Sequence, residues 1–280
     1  MADVKLTAWR LLELQTSDAF TNMAMDEAIL RARIQGAVPN TLRFYRWKPS
    51  AVSVGRFQNT EKEVQLENCR RRNVDVVRRI TGGGTVYHDA KDEVTYSVVA
   101  RKEDLGAEEI AAVYSRIYTG IAEALRILGI HADFNQGTTK ACPNLTINGK
   151  KISGSAQAHR SGAFLQHGTL LSEVNLKRMF TFLRVPWAKT RTQIVSIAKN
   201  RITSINAELG KAVPAAELKE ALVKGFEKAF DSKFTSGELT AGELELSEYL
   251  CQEKYATEDW NFQGRTNDQK QKDFTKGVLH

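Results

Sequence analysis

The chain contains few cysteines, and their arrangement excludes several kinds of protein. Three are present among 280 residues, at Cys69, Cys142 and Cys251. An odd number of widely separated thiols is not a disulfide framework, and it lacks the paired spacing of a zinc site. The five histidines show no ligand-like spacing to these cysteines. We therefore predict no disulfide framework and no bound metal.

Long hydrophobic runs are also absent. No apolar stretch reaches the roughly 18 residues that a membrane-spanning helix needs. Residues 1–5 lack the apolar region of a secretory signal peptide. The hydrophobic content of 42% is nevertheless enough for a substantial core. These features predict a cytoplasmic protein without a membrane partner, folded as one large domain or two modest ones.

Nucleic-acid-binding motifs are missing, although the chain is basic. The formal net charge is +7 and the isoelectric point is near 9.2. The densest basic clusters are residues 70–72 and 78–79, and most other lysines and arginines are interspersed with acids. No helix-turn-helix, zinc finger or RNA-binding signature accompanies this charge. We therefore expect an acidic protein partner and no nucleic acid.

A glycine-rich stretch, RRITGGGTVYHD at residues 78–89, is the strongest local feature of the chain. Strand-like runs at residues 74–77 and 94–99 flank it, so a tight loop between strands is predicted. Three successive glycines let a backbone approach a ligand closely, and the two arginines suit a phosphate or a carboxylate. The stretch lacks the Gly-Lys-Ser/Thr of a P-loop. It also precedes a strand, where a dinucleotide-binding fold would begin a helix.

Hydrophobic periodicity predicts helices in several places. One helix is expected at residues 19–35, with Asn22 and Asp26 exposed to solvent. The clearest helix is predicted at 108–128, where apolar residues recur every three or four positions. Helices are expected to predominate after residue 172.

Two hairpins are predicted from turn signals. Residues 41–47 and 51–57 have strand composition and are separated by a Lys-Pro-Ser turn, so we expect them to pair in antiparallel fashion. Asn148-Gly149 lies between two further strand-like runs and is a strong hairpin signal.

Two sequence blocks resemble one known family. The pattern Arg-Arg-x-Thr-Gly-Gly-Gly-x-Val-x-His-Asp at residues 78–89 is similar to the signature loop of the lipoate–protein ligase A family, whose relatives include biotin ligases and octanoyltransferases. A second block, residues 148–157 followed by 166–171, resembles the same family in the same order. Weaker similarity near both ends extends the resemblance over about residues 9 to 262.

The resemblance implies a fold and a domain organisation. The expected fold is α/β (α+β), with a central mixed, largely antiparallel β-sheet flanked by helices, of the biotin/lipoate ligase catalytic-domain type. A catalytic domain is expected at residues 1–262, followed by a polar, mobile tail at 263–280. Too few residues follow Trp260 for the accessory C-terminal domain that complete ligases carry, so an accessory ligase subunit would be a separate polypeptide.

Our main functional prediction, an ATP-dependent lipoate–protein ligase, also comes from the resemblance. Such an enzyme activates lipoate as lipoyl-AMP and transfers the lipoyl group to a specific lysine. The implied co-substrates are ATP, Mg²⁺ and lipoate. The implied partners are acidic lipoyl-domain acceptor proteins, such as 2-oxoacid dehydrogenase E2 subunits or the glycine cleavage H protein.

Individual residues take their predicted roles from the same resemblance. Lys151 is the implied catalytic residue, because it occupies the position of the family's site lysine. An acyl tunnel is expected to be walled by Val52, Val54, Phe57 and Val86. Substrate or ATP is expected to contact Arg56, Arg79, Gly82, Gly83, Gly84, Thr85, Val86, His88, Asp89, Ser153, Gly154, Ser155, Ala156, His167 and Gly168.

A second activity of the same superfamily stays open. Octanoyltransferases take an acyl group from acyl carrier protein through a cysteine thioester and pass it to a lysine without ATP. Cys142 lies nine residues before Lys151 and would be that nucleophile. This spacing is shorter than in those transferases, and Cys142-Pro143-Asn144-Leu145 resembles a step found in the ligases, which favours the ligase. A non-catalytic relative that binds acyl groups or nucleic acid is the third hypothesis.

Overall fold

In the part of the chain that the structure describes, eight strands form a large sheet and three form a smaller one. The computed structural model describes residues 9–91, 93–138 and 142–279. The strands are β1 (Trp9–Ser17), β2 (Asn40–Trp47), β3 (Ala51–Val54), β4 (Asp75–Arg78), β5 (Val86–His88), β6 (Glu93–Arg101), β7 (Asp133–Asn135), β8 (Asn144–Ile147), β9 (Lys150–Arg160), β10 (Ala163–Leu171) and β11 (Phe234–Gly237).

The large sheet is mixed but mainly antiparallel. Its order is β11-β1-β2-β6-β10-β9-β8-β7. β1 runs parallel to β11 and β2, while the described pairings from β2 to β7 are antiparallel. The smaller sheet has the order β4-β3-β5, with β4 parallel and β5 antiparallel to β3. The predicted fold class is confirmed.

Helices cover both faces of the large sheet. They are α1 (Ala19–Gln35), α2 (Thr60–Glu63), α3 (Leu66–Arg71), α4 (Lys102–Leu105), α5 (Ile110–Ile127), α6 (Leu176–Phe182), α7 (Arg191–Lys199), α8 (Ile205–Leu209), α9 (Ala215–Phe230), α10 (Ala241–Leu250) and α11 (Asp268–Val278). Because side chains alternate along β2, Phe44 packs with α5 and α9 while Tyr45 packs with α1 and α10. The helices predicted at 19–35 and 108–128 are confirmed.

One of the two predicted hairpins is wrong. β2 has β1 on one side and β6 on the other, so neither of its edges is free to accept β3. After a turn at residues 48–50, β3 therefore starts the smaller sheet between β4 and β5. The second prediction is confirmed, because β8 and β9 pair through Asn148 and Gly149, which both have positive φ.

The segment predicted as a mobile tail contains a packed helix over residues 268–278. In α11, Gln271 and Thr275 are buried and accept hydrogen bonds from the guanidinium of Arg31 on α1. Phe274 stacks on Tyr249 of α10 with ring centres 3.8 Å apart. The polar composition concealed this packing, because the buried polar groups are satisfied by partners far away in the sequence. None of the helices in residues 9–91, 93–138 and 142–279 is long and apolar enough to cross a membrane.

Candidate active site

Residues from both sheets line a cavity of about 310 Å³, a volume at the lower end of the range for small-molecule sites. Much of its wall is aromatic or aliphatic, including Trp47, Val86, Tyr87, Met179, Phe180, Leu183 and Ile202. Arg79, Lys151 and two histidines add nitrogen groups, and Cys142 adds a thiol. The cavity therefore joins apolar space to positive charge and a potential nucleophile. No group of three His, Cys, Asp or Glu side chains in the described residues is placed to hold a metal ion.

The glycine loop between β4 and β5 forms part of this wall. Gly83 has a φ of 86°, a left-handed conformation that favours glycine. A Cβ on Gly83 would lie 3.8 Å from the sulfur of Cys142, so the loop and the thiol are neighbours. Gly55 has a different constraint, because a Cβ there would lie 2.1 Å from the carbonyl oxygen of Gly83. Glycine at these two positions therefore lets two backbone turns meet beside the thiol.

Arg79 holds the loop from within the protein. Its Nη2 donates to the carbonyl oxygens of Gly82 and Gly84, each at 2.9 Å. Its Nη1 donates to both oxygens of Ser53, and its Nε donates to Thr81 Oγ1. All five N–H groups are thus bonded to protein oxygens, so Arg79 offers a ligand positive charge but no free donor. Burial lowers the pKa of Arg79 to about 10, which leaves it charged at neutral pH.

Both predicted site histidines lie between a buried carboxylate and a buried hydroxyl. Asp26 is the carboxylate partner of His167, and Glu93 is that of His88. Burial lowers the pKa of His167, although the neighbouring Asp26 opposes this effect. The imidazoles therefore contribute to the cavity wall while their nitrogens are engaged by the protein.

Asp26 is the main candidate that sequence reasoning missed. It is 1% exposed and forms a 2.8 Å ion pair with Arg43. Burial raises its pKa, but the hydrogen bond from His167 and the charge of Arg43 outweigh that effect and hold the pKa below its ordinary value. The predicted solvent exposure of Asn22 and Asp26 is wrong, because Arg43 reaches both from β2. The weaker resemblance to the ligase family near the start of the chain, at residues 22–28, was the one signal that linked this helix to the site.

Lys151 lies at the start of β9 and is fixed through its backbone. Its N–H donates to Arg201 O at 2.8 Å, and its carbonyl accepts from Thr203 N–H at 3.0 Å. The side chain extends across Gly154, where a Cβ would lie 2.3 Å from Nζ. Solvent reaches part of Lys151 through the cavity, but protein atoms surround its ammonium group. Desolvation therefore lowers the pKa of Lys151, and the charge of Cys142 partly offsets this shift.

Cys142 is an exposed free thiol at the cavity wall. The following residue is anchored, because Tyr118 donates a hydrogen bond to the carbonyl oxygen of Pro143 at 2.9 Å. Ser155 donates in turn to the Tyr118 hydroxyl at 2.8 Å. The thiol is therefore tied through α5 to β9, the strand that also carries Lys151.

The model of the lipoyl protein ligase A/B catalytic domain matches residues 18–227, which include all of these cavity residues. The chain belongs to this family. Two relatives, both named octanoyltransferase LipM, are similar to this chain over most of its length. That of Moorella thermoacetica is 39% identical over 267 residues, covering 90% of this chain and 97% of the relative. That of Kyrpidia tusciae is 36% identical over 275 residues, covering 92% of this chain and 99% of the relative.

A solved structure extends the family likeness to the fold. The bipartite lipoate protein ligase of Thermoplasma acidophilum has a TM-score of 0.81 and is 31% identical, covering 93% of this chain and 98% of that one. The sequence identity to the octanoyltransferases is higher than to this ligase.

These relatives correct the main functional prediction. The prediction of an ATP-dependent lipoate–protein ligase is wrong, because the curated relatives at 32–39% identity are octanoyltransferases. The predicted co-substrates ATP and Mg²⁺ are wrong for the same reason, and the activation of free lipoate is withdrawn with them. The ligase prediction depended in part on a local resemblance at residues 142–145, whereas identity over the whole chain is higher to the transferases.

The family's predicted site residues mostly come together in the structure. The cavity wall contains Arg79, Gly83, Gly84, Thr85, Val86, His88, Cys142, Lys151, Gly154, Ser155, Ala156, His167 and Gly168. Three predicted residues, Gly82, Asp89 and Ser153, each follow or precede a wall residue in the sequence but do not line the cavity themselves. Asp89 instead pairs with Arg178 at 2.8 Å.

The turn after β3 differs from the prediction. Arg56, expected to contact substrate, instead lies over the ring of Trp260, with its guanidinium carbon 4.6 Å from the ring centre. Phe57, expected to wall the acyl tunnel, is 90% exposed. Val52 and Val54 pack in a separate apolar cluster. Because β3 ends at Val54, the following residues turn away from the cavity, and only Val86 of the predicted tunnel lines it.

Proposed function

We propose that this protein is an octanoyltransferase that passes an acyl group from a carrier thioester to a lysine of a lipoyl domain through Cys142. One observation carries the proposal: an exposed thiol lies at an apolar cavity beside Lys151 and Arg79, two cations. Thiol nucleophiles act as thiolates, which nearby positive charge favours. The octanoyltransferase relatives support the same activity.

The first half-reaction transfers the acyl group to the enzyme. The Cys142 thiolate attacks the thioester carbonyl, a new C–S bond forms, and the carrier's C–S bond breaks. The carrier leaves as a thiol after taking the proton that Cys142 gave up. The Lys151 ammonium stabilises the oxyanion that forms on the carbonyl, since a fixed cation is most effective in a site shielded from water.

The second half-reaction transfers the acyl group to the acceptor. The neutral amine of an acceptor lysine attacks the Cys142 thioester, an amide bond forms, and the C–S bond breaks. The proton lost by the amine returns to the sulfur. The octanoyl chain occupies the apolar part of the cavity in both steps, where Met179, Leu183 and Ile202 exclude water from it.

The proposal includes the partners, the compartment and the catalytic unit. The donor is acyl carrier protein, and the acceptors are lipoyl domains such as those of 2-oxoacid dehydrogenase E2 subunits or the glycine cleavage H protein. A reducing cytoplasm suits a reaction that needs a free thiol. Residues 1–262 are the proposed catalytic domain.

Intact-mass spectrometry tests this function. The protein is incubated with octanoyl–acyl carrier protein without ATP, and a mass increase of one octanoyl group is expected on the wild type. Cys142→Ala should abolish both this adduct and acceptor modification, because the nucleophile is gone. Cys251→Ala is the matched control and should behave as wild type, since Cys251 lies away from the cavity.

Two outcomes would contradict the proposal. One is an adduct or full acceptor modification in Cys142→Ala. The other is acceptor modification that requires free acid and Mg-ATP and does not occur with the carrier thioester.

A further inference from the structure

Two similar chains of hydrogen bonds converge on Arg79. We propose that His88 and His167 are positioning residues, which hold the glycine loop in place for acyl transfer through two buried hydroxyls and the Arg79 guanidinium. This inference rests on the proposed function for its catalytic consequence. Its structural part, the control of the loop by these chains, is independent of that function.

The first chain begins at Asp26 on α1. His167 Nδ1 lies 2.9 Å from Asp26 Oδ2, and His167 Nε2 lies 2.7 Å from Thr81 Oγ1. Thr81 Oγ1 also accepts a hydrogen bond from Arg79 Nε at 3.2 Å. Asp26, His167 and Thr81 are all at least nine-tenths buried.

The second chain begins at Glu93 on β6. His88 Nδ1 lies 2.6 Å from Glu93 Oε1, and His88 Nε2 lies 2.7 Å from Ser53 Oγ. Ser53 Oγ accepts a hydrogen bond from Arg79 Nη1 at 2.7 Å. Both chains thus run from carboxylate to imidazole to hydroxyl to guanidinium.

The chemistry of arginine sets the direction of its bonds to the two hydroxyls. A guanidinium has no acceptor, so each hydroxyl must accept from Arg79 and donate its own proton elsewhere. Among the residues that the structure describes, the acceptor within reach of this proton is the Nε2 atom of the histidine, which takes it when that nitrogen is unprotonated. The proton of each neutral ring then resides on Nδ1 and is donated to the carboxylate. In this tautomer every donor and acceptor of the two chains has a partner.

The chains act on the loop through the remaining donors of Arg79. Its Nη2 bonds the carbonyl oxygens of Gly82 and Gly84, on either side of Gly83. Gly83 in turn faces the sulfur of Cys142. Rotation of the guanidinium would release both carbonyls at once, and the loop would no longer be fixed relative to the reacting thioester. Thr81 is absent from the cavity wall, so any effect of its hydroxyl on catalysis must be transmitted through other residues.

Thr81 provides a sharp test because it can be changed in two ways. Thr81→Val removes the hydroxyl and keeps the shape, whereas Thr81→Ser keeps the hydroxyl. We expect Thr81→Val to lower kcat for octanoyl transfer by about 10- to 100-fold, as a small misplacement of reacting groups does. Hydrogen exchange at residues 81–85 should become faster. Thr81→Ser should restore both properties, and Ser53→Ala on the other chain should reproduce the loss.

His167→Gln and His88→Gln should likewise lower kcat and speed hydrogen exchange at residues 81–85, and His159→Gln is their matched control. His159 lies on β9 and bonds Gln157 outside both chains, so kcat and loop exchange should stay at wild-type values. Wild-type exchange of residues 81–85 in both Thr81→Val and Ser53→Ala would overturn the inference. Faster exchange with unchanged kcat would also overturn it, since the loop would then have no role in transfer. If the wild type transfers no octanoyl group, the proposed function fails, and hydrogen exchange still decides whether the chains hold the loop.

Discussion

The position of Lys151 depends on the absence of a side chain at Gly154. A Cβ at residue 154 would lie 2.3 Å from Lys151 Nζ and 2.4 Å from its Cε. Non-bonded heavy atoms settle at about 3.5 Å or more, so the ammonium would have to retreat by roughly 1 Å. Gly154→Ala is therefore a way to move this charge without removing it.

The expected effect on catalysis is large and the expected effect on folding is small. A displacement of about 1 Å at a reacting centre costs on the order of 100-fold in rate. Gly154 does not have a positive φ, so its backbone conformation is open to alanine. Replacing a glycine within a strand stabilises by about 0.5–1 kcal/mol through the unfolded chain, which offsets local crowding. We expect kcat to fall about 100-fold while the melting temperature stays close to that of the wild type.

Single-turnover transfer from octanoyl–acyl carrier protein measures this directly, together with the melting temperature. Gly277→Ala is the matched control, because a Cβ on Gly277 meets no atom within 4 Å and lies in α11, away from the cavity. A Gly154→Ala protein with wild-type kcat would refute the assignment of Lys151 to the oxyanion. Equal losses in both variants would show that the effect is not local.

Two further predictions concern groups that do not line the cavity. Tyr118→Phe removes the hydroxyl that donates a hydrogen bond to Pro143 O, so kcat and the alkylation rate of Cys142 should both change. The free energy of unfolding should fall by about 1 kcal/mol. Unchanged rates of both reactions would count against this anchor. Burial raises the pKa of Glu27, but Lys254 and other partners outweigh this effect and hold the pKa well below its ordinary value of 4.5. The ionised Glu27 therefore stabilises the folded protein fully above pH 4.5, and this stabilisation is lost as the pH falls towards the lowered pKa. Glu27→Gln should cost about 3–5 kcal/mol at neutral pH and flatten the acid dependence of urea unfolding; a parallel pH profile in the variant would argue against this origin.

Much of the cavity wall was predictable because its residues are close together in the sequence. The glycine loop and the Lys151 block are short motifs, and their resemblance to one family identified both of them. The register of β9 and β10 then places Gly168 opposite Ser155 and His167 opposite Ala156, which joins the predicted residues of two neighbouring strands. The activity was harder to predict, because proteins similar to this chain include both octanoyltransferases and a lipoate protein ligase.

The sequence by itself determined the local structure: the ends of α1, the amphipathic helix α5 and the turn at Asn148-Gly149, each of which depends on residues a few positions apart. Only the tertiary structure decided where β3 pairs, because that depends on which edges of β2 other strands occupy. It also decided that Asp26 is buried against His167, which lies 141 residues away. Hydrogen bonds between such distant residues leave no periodic pattern in a sequence, since they form only after sheet order and helix packing have brought the donors and acceptors together.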